Sequence, residues 1–307
     1  MSAFACSSWS GSAFSRYACV SLLLVFATVP LAAQPPRWTE QQANDWYSQQ
    51  PWLVGSNYIP ATAINQLEMW QADTFDPQRI DLELGWAEAI GLNTMRVFLH
   101  DLPWQEDAVG FQKRIDTFLA IADKHHIRIL FVLFDSVWDP NPKLGTQHAP
   151  TPGVHNSGWV QSPGAAALKD SSQWPRLETY VKGVVGAFAK DKRVLGWDVW
   201  NEPSNTNVPA YSKYEPPNKK EIVQKLLPKV FAWAREAGGW PSVDVLRGWG
   251  PPEPAATLTA FSSWDTTFST SFGVGGWGDR STSYRGWLTR GGNTGWGIGG
   301  RAQGLHW

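Results

Sequence analysis

The hydrophobic pattern between residues 38 and 238 alternates between short apolar runs and longer stretches with helical spacing. Short runs lie at residues 52–58, 93–99, 127–134 and 194–200, and the longer amphipathic stretches at 80–90, 111–126, 174–190 and 221–236. The first kind of pattern predicts strands and the second predicts helices. Because the run 127–134 is almost continuously apolar, it is typical of a strand buried on both faces, as in a parallel sheet.

Four strand and helix pairs in succession predict parallel βα units. Two architectures are built in this way, the doubly wound sheet and the (β/α)₈ barrel. No glycine-rich phosphate loop follows the first predicted strand, which favours the barrel. We therefore predict an α/β fold of the (β/α)₈ barrel type, in which residues 38–238 supply only the first four βα units.

Polar residues lie at the carboxyl ends of all four predicted strands. They are Asn57 after the first strand, Arg96, His100 and Asp101 around the second, Asp135 after the third, and Asn201 and Glu202 after the fourth. Active sites of such barrels lie at this end of the strands, so these side chains are expected to converge. Pro203 prevents the strand from continuing and places Glu202 near the mouth. A structural role remains open for Arg96, as an ion-pair partner, and for Asp135, as a turn cap.

The sequence Gly-Trp-Asp-Val-Trp-Asn-Glu-Pro at residues 196–203 resembles the end of the fourth strand in clan A glycoside hydrolases, the cellulase, mannanase and xylanase-like (β/α)₈ enzymes. Residues 91–98 resemble their second strand, whose arginine lies beneath the acid/base carboxylate. The resemblance covers residues 38–238. It implies that Glu202 is the general acid/base and that Asn201 binds the sugar 2-hydroxyl. The other residues expected to bind the substrate are Arg96, His100, Asp135, Trp138 and Trp159.

Cleavage of a glycosidic bond explains why these residue types are needed. One carboxyl must deliver a proton to the leaving oxygen while positive charge develops on the sugar ring, and Glu202 fits that role. A retaining enzyme also needs a second carboxylate, about 5–5.5 Å away, as the nucleophile. The chain has 20 Trp against 7 Tyr, an excess that points to stacking surfaces for sugars. Trp138, Trp159, Trp197 and Trp200 are candidate platforms, although alternation along a strand directs one of Trp197 and Trp200 into the core.

The segment 139–164 is rich in proline and glycine and is too long for an ordinary connection, so we predict an insertion over the sugar cleft. A metal site formed by Asp139, His148 and His155 is an alternative, but their spacing matches no standard zinc pattern. We therefore predict no metal and no cofactor. Residues 125 and 126 are both histidines and lie at a predicted helix end, where positive charge is stabilising.

The pattern changes abruptly after residue 238. Residues 239–307 are crowded with Gly, Ser, Thr, Arg and Trp and hold no buried strand pattern. Their acidic residues are Asp244, Glu253, Asp265 and Asp279, none of which ends an apolar run. The family's nucleophile, a glutamate at the end of the seventh strand, therefore has no matching position.

Three explanations of the segment 239–307 remain open: a change of reading frame near residues 237–240, a carbohydrate-binding tail, or a low-complexity surface-anchoring tail. The expected function is accordingly hydrolysis of a β-linked polysaccharide or oligosaccharide by a retaining mechanism, impaired in this chain. A non-catalytic secreted carbohydrate-binding protein or an inactive truncated product is the alternative.

The N-terminus predicts export. Arg16 precedes an apolar run at residues 17–29, and small residues follow up to Ala33, which is the order of a signal peptide cleaved near Ala33. A membrane anchor is the alternative, but the run is short for a span and no stop-transfer sequence follows. Cys6 and Cys19 both lie in this segment, so the mature secreted or periplasmic protein is expected to lack thiols. A net charge of −1 gives no basic excess for nucleic acid or anionic lipid, and the predicted partner is the saccharide alone.

Overall fold

The computed structural model describes residues 40–152, 157–205 and 211–238. The predicted signal peptide at residues 1–33 and the segment 239–307 lie outside these ranges. Within them, one parallel sheet runs in the order β1-β2-β3-β4. Its strands are β1 (Gly55–Tyr58), β2 (Thr94–Phe98), β3 (Arg128–Val132) and β4 (Val194–Asp198).

The strand order distinguishes the two architectures that the sequence left open. A doubly wound sheet reverses its order at a switch point, whereas barrel strands follow one another consecutively around the sheet. Here every strand pairs in parallel with its neighbour in the chain. The predicted fold class, the first four units of a (β/α)₈-type arrangement, is confirmed for the described part of the chain.

All four predicted helices are present, with ends close to the predicted ones. They are α3 (Pro77–Ala89), α5 (Ala108–Lys124), α7 (Trp174–Phe188) and α8 (Lys219–Gly238). The Asp76 side chain caps α3, with Pro77 in its first turn, and Gly91 follows the helix with a φ of 87°, which glycine adopts without strain. The shorter helices α1 (Glu40–Ser48), α2 (Gln66–Trp70), α4 (Asp101–Glu106) and α6 (Ala165–Lys169) were not predicted.

The two faces of the sheet have different chemistry. Met95, Val97, Phe131 and Trp197 belong to a buried apolar cluster that includes residues of α3, α5, α7 and α8. Arg96 alternates with Met95 and Val97 along β2 and therefore lies on the opposite face. One face thus packs against helices, and the other carries the polar side chains of the candidate site.

Trp197 and Trp200 are both buried, at 1% and 0% exposed, which corrects the expectation that one of them is a sugar platform. Trp197 stacks on Phe131 with ring centroids 5.6 Å apart. Trp200 packs against Phe134, and its Nε1 donates to Ser136 Oγ at 2.8 Å. Neither ring has a face available for stacking on a sugar.

The histidine pair follows α5 as predicted and makes ion pairs with α3. His125 Nε2 lies 2.7 Å from Asp81 Oδ1, and His126 Nδ1 lies 2.7 Å from Glu88 Oε1. Burial opposes the charged form of His125, but its hydrogen bonds to Glu88 and Asp81 raise its pKa above the ordinary value. The pair therefore links two helices.

In the described ranges, no helix is both long and apolar enough to cross a membrane.

Candidate active site

A buried ion pair between β2 and β4, which lie on either side of β3, forms the base of the site. Arg96 on β2 is 1% exposed and donates two hydrogen bonds to the Asp198 carboxylate on β4, one of them from Nε at 3.2 Å. Asp198 is fully buried and also accepts the backbone N–H of Trp200 at 3.1 Å. The guanidinium lies 4.7 Å from the centre of the Phe98 ring. These contacts confine Arg96 to one position.

Asn201 is held from two sides. Its Oδ1 accepts a hydrogen bond from Arg96 at 2.8 Å, and its Nδ2 donates to Asp135 Oδ1 at 3.0 Å. The backbone N–H of Asn201 donates to Phe134 O at 2.7 Å, which extends the contact between the segments after β3 and β4. Arg96, Asp135 and Asn201 are therefore brought together, as their strand-end positions predict.

Asp135 is buried beneath the mouth of the site, at 1% exposed. Burial raises the pKa of its carboxyl to about 7, and the nearby charge of Glu202 acts in the same direction. The hydrogen bond from Asn201, the charge of Arg96 and the backbone N–H of Val137 oppose the rise. The enclosed side chain contacts the Asn201 amide, which lies after the neighbouring strand β4.

Replacing Asp135 with asparagine is expected to stabilise the fold more at pH 8 than at pH 5. The pKa of the carboxyl is higher in the folded than in the unfolded state, so its contribution to stability is present in acid and lost as the pH rises through about 7. The difference between the two pH values should be on the order of a few kcal/mol in the free energy of unfolding. Urea unfolding at both pH values measures it.

The matched control is Asp123→Asn on the exposed side of α5, which should change stability equally at both pH values. An equal effect of Asp135→Asn at pH 5 and pH 8 would contradict the raised pKa of Asp135.

Glu202 follows Asn201 in an unusual backbone conformation. Its φ is 45°, in the left-handed region, which costs a non-glycine residue about 1–3 kcal/mol. The side chain is partly exposed, and Asn205 Nδ2 donates to its Oε2 at 2.7 Å. Strain of this kind is typical of functional positions. Here it falls on the residue that immediately follows Asn201 of the buried polar network.

His100 and Asp101 hold the long insertion rather than face the cleft. His100 is fully buried; its Nδ1 accepts the backbone N–H of Leu102 at 3.1 Å, and its Nε2 donates to Gln161 O at 2.9 Å. Burial lowers the pKa of this histidine, against the nearby charge of Asp101. Asp101 binds Ser162 Oγ at 2.7 Å. A direct substrate contact by His100, as predicted from sequence, would require one of its two backbone hydrogen bonds to break.

The returning part of the insertion, residues 158–162, is anchored by side chains from the segments that follow β1, β2 and β4. The anchoring bonds are Asn65 Nδ2 to Gly158 O at 2.8 Å, Gln66 Nε2 to Val160 O at 2.6 Å, His100 to Gln161 O, Asp101 to Ser162, and Glu215 to the Gln161 side chain. Since buried backbone groups are costly to leave unpaired, this set of bonds fixes the segment. The predicted insertion therefore forms a wall of the site.

Trp159 lies on this wall and is partly exposed. Its ring meets Phe98 edge-on with centroids 5.1 Å apart, and Phe98 in turn lies against Arg96. Trp138 packs behind it at 5.9 Å and is nearly buried. A cavity of about 330 Å³ opens beside Trp159, lined also by residues 61–64 and by Pro150. Trp159 is thus better placed than Trp138 to stack on a sugar.

In the described part of the chain, no cluster of three or more metal-ligating side chains occurs. His148 is exposed and lies near Ala149 O. His155 falls outside the described residues.

Comparison with known proteins gives structural matches only. No protein-family model matches the sequence, and no curated protein matches it. Solved structures do match, and they include enzymes that cleave glycosidic bonds. The chain is similar to glycoside hydrolases.

Three of these structures illustrate the likeness. An exo-β-1,4-mannosidase from Opitutaceae bacterium strain TAV5 is 20% identical with a TM-score of 0.44, covering 68% of this chain and 36% of its own. An endo-1,4-β-mannanase from Rhizomucor miehei is 14% identical with a TM-score of 0.42, and the match covers 70% of this chain and 62% of the mannanase. An endo-β-1,4-mannanase from Thermotoga petrophila is 11% identical with a TM-score of 0.41, and the match covers 74% of this chain and 51% of the mannanase. The chain thus spans about a third to three fifths of their lengths, and the fold assignment rests on the sheet order described above.

Sequence reasoning assigned no role to Asp198, although a charge inside an apolar strand signals a buried partner. It also missed the Lys219 cluster. Lys219 Nζ, at the start of α8, donates to Ser136 O at 2.5 Å and to Glu215 Oε1 at 2.7 Å. Burial lowers the pKa of this lysine, while Glu215 and Asp135 act against that shift. The cluster connects α8 to the segment that carries Asp135.

Proposed function

We propose that this chain carries the acid/base half of a retaining β-glycosidase site, with Glu202 as the proton donor. The observation that supports this most is the position of Glu202. It is a partly exposed carboxylate in a strained backbone, next to a buried network of Arg96, Asp198, Asn201 and Asp135 at the strand ends. Preorganised polar groups beside an accessible carboxyl suit proton transfer to a leaving group.

The neighbouring residues have roles that follow from their contacts. Asn201 uses one Nδ2 hydrogen for Asp135, and the second can donate to a sugar hydroxyl, a bond that strengthens in the transition state. Arg96 keeps Asn201 in place by donating a hydrogen bond to the Oδ1 of Asn201. Trp159 beside the 330 Å³ cavity offers an aromatic surface for a second sugar unit. The substrate class that fits is a β-linked polysaccharide or oligosaccharide.

The nucleophile is the missing part of this proposal. Double displacement needs a second carboxylate about 5–5.5 Å from the first, and no residue of the described ranges is assigned to it. We propose that the reading frame changes near residue 238 and that the restored frame encodes the remaining βα units with the nucleophile. A secreted carbohydrate-binding protein without activity is the competing function.

We expect the 307-residue chain to show no measurable hydrolysis of β-linked mannans, glucans and xylans, and a version with the frame shifted after codon 238 to hydrolyse one of them. The physical reason is that a glycosyl-enzyme cannot form without the second carboxylate. Release of reducing sugar by both purified proteins measures this.

Robust turnover by the chain as written, lost on Glu253→Gln or on deletion of residues 239–307, would show that this segment supplies the carboxylate. Inactivity of both forms, with saccharide binding retained, would favour the carbohydrate-binding protein.

A further inference from the structure

The orientation of the Asn201 side chain is decided by its two partners. Arg96 has only N–H donors, so the atom of Asn201 that faces it must be the oxygen Oδ1. The amide nitrogen then faces Asp135, and Asp135 Oδ1 accepts one of its two hydrogens at 3.0 Å. Within the described residues, the second hydrogen has no other hydrogen-bond partner.

We propose that Asp135 is a positioning residue that fixes the Asn201 amide so that its second Nδ2 hydrogen is presented to a sugar hydroxyl. This inference rests on the proposed function and gives Asp135 an indirect role in place of the substrate contact predicted from sequence. Asp135 is buried and reaches the cleft only through Asn201. Without the acceptor, the Asn201 amide keeps the hydrogen bond from Arg96 to its Oδ1, but its nitrogen loses the described contact that fixes it.

The second oxygen of Asp135 supports a role beyond packing. In the described structure, Oδ2 is buried and makes no hydrogen bond of normal geometry, although the backbone N–H of Val137 faces the carboxyl. A carboxyl in an apolar turn of the chain would satisfy both oxygens or be replaced by an amide, because an unpaired buried oxygen is destabilising. The fold therefore tolerates a destabilising carboxyl at this position, as is common where a side chain serves a ligand.

Charged groups face Asp135 from several elements. Glu202 lies after β4, Arg96 on β2 with its partner Asp198 on β4, and Lys219 at the start of α8 with its partner Glu215. Burial in this environment raises the pKa of the Asp135 carboxyl to about 7. In its ionised form it accepts the Asn201 hydrogen bond with full charge, and such bonds are roughly twice as strong as neutral ones. The hydrogen bond from Asn201 Nδ2 to Asp135 is therefore stronger above pH 7 than below.

The test uses the 307-residue chain and two readouts. The first is the side-chain amide signal of Asn201 in ¹H–¹⁵N spectra, identified by its loss in Asn201→Asp. We expect it to shift with pH, with a midpoint near 7, in the unmodified chain and to be independent of pH in Asp135→Asn. The second readout is calorimetric binding of β-1,4-linked mannotetraose, cellotetraose and xylotetraose.

Two variants separate positioning from packing. Asp135→Leu removes the acceptor at similar volume and should weaken binding of the preferred tetrasaccharide about tenfold, which corresponds to one lost hydrogen bond. Asp135→Asn keeps an acceptor oxygen and should bind within about twofold at pH 8, but without the change between pH 6 and pH 8. If Asp135→Leu fails to fold, Asp135→Asn alone still tests the pH dependence.

The outcomes distinguish this inference from the proposed function. Binding of the preferred tetrasaccharide by Asp135→Leu within about twofold of the unmodified chain, or an Asn201 amide signal that titrates unchanged in Asp135→Asn, would overturn the positioning role. A titrating Asn201 signal without binding of any of the three tetrasaccharides would support the positioning of Asn201 by Asp135. It would count against the proposed glycosidase function.

Discussion

Replacing Arg96 with alanine is expected to lower the free energy of unfolding by about 3–5 kcal/mol. The substitution leaves the Asp198 carboxylate buried without its cation and removes the donor that holds Asn201. Against a total stability of about 5–15 kcal/mol for an ordinary domain, this loss is large. Chemical denaturation of both proteins, followed by circular dichroism, measures it.

A matched exposed pair provides the control. Lys182 makes ion pairs with Glu178 and Glu236, and all three side chains are more than a third exposed. Lys182→Ala should therefore cost less than about 1 kcal/mol. Combining Arg96→Met with Asp198→Leu should recover much of the stability, because no unpaired charge is left. An Arg96→Ala protein as stable as the Lys182→Ala protein would show that the buried pair does not hold the strand ends together.

The sheet could be predicted from sequence because most of its strands lie in short, predominantly apolar runs. The run 127–134 contains β3, and the helical spacing at 111–126 contains most of α5. The polar residues at the strand ends were predictable for the same reason, since they interrupt an otherwise apolar pattern. Only topology was needed to bring Arg96, Asp135 and Asn201 together, and the alternation of strands and helices indicates that topology.

Other features depend on contacts that no local pattern encodes. The helices α2 and α4 have about one turn each, which is too short for a periodic signal. Because α4 begins directly after His100, that ring caps the helix instead of facing a ligand. The alternation rule failed for Trp200 because β4 ends at Asp198, so a period of two no longer applies at residue 200.

The Arg96–Asp198 pair needed the strand register as well as the sequence. Leu130 on β3 pairs with Arg96 on one side and with Gly196 on the other. Gly196 has no side chain to fill the space opposite Arg96, and Asp198 lies on the same face two residues further along. The sequence shows the two charged residues but not the strand register that makes them partners.

Glu202→Gln is expected to lower hydrolysis of substrates with poor leaving groups by about 10²–10⁴-fold in the form of the protein that turns over. A glutamine cannot donate the proton that an alkoxide leaving group needs, whereas an activated aryl leaving group departs without it. Glu221→Gln, an exposed glutamate at the start of α8, is the control and should leave both activities unchanged.

The most direct measurement of the role assigned to Glu202 is therefore the ratio of two kcat/KM values, one for an unactivated β-linked tetrasaccharide and one for a dinitrophenyl β-glycoside of the same sugar. If Glu202 is the proton donor, Glu202→Gln should reduce the first value by about 10²–10⁴-fold and the second far less. An equal loss on both substrates would contradict it, because the side chain would then support binding or folding and not proton transfer.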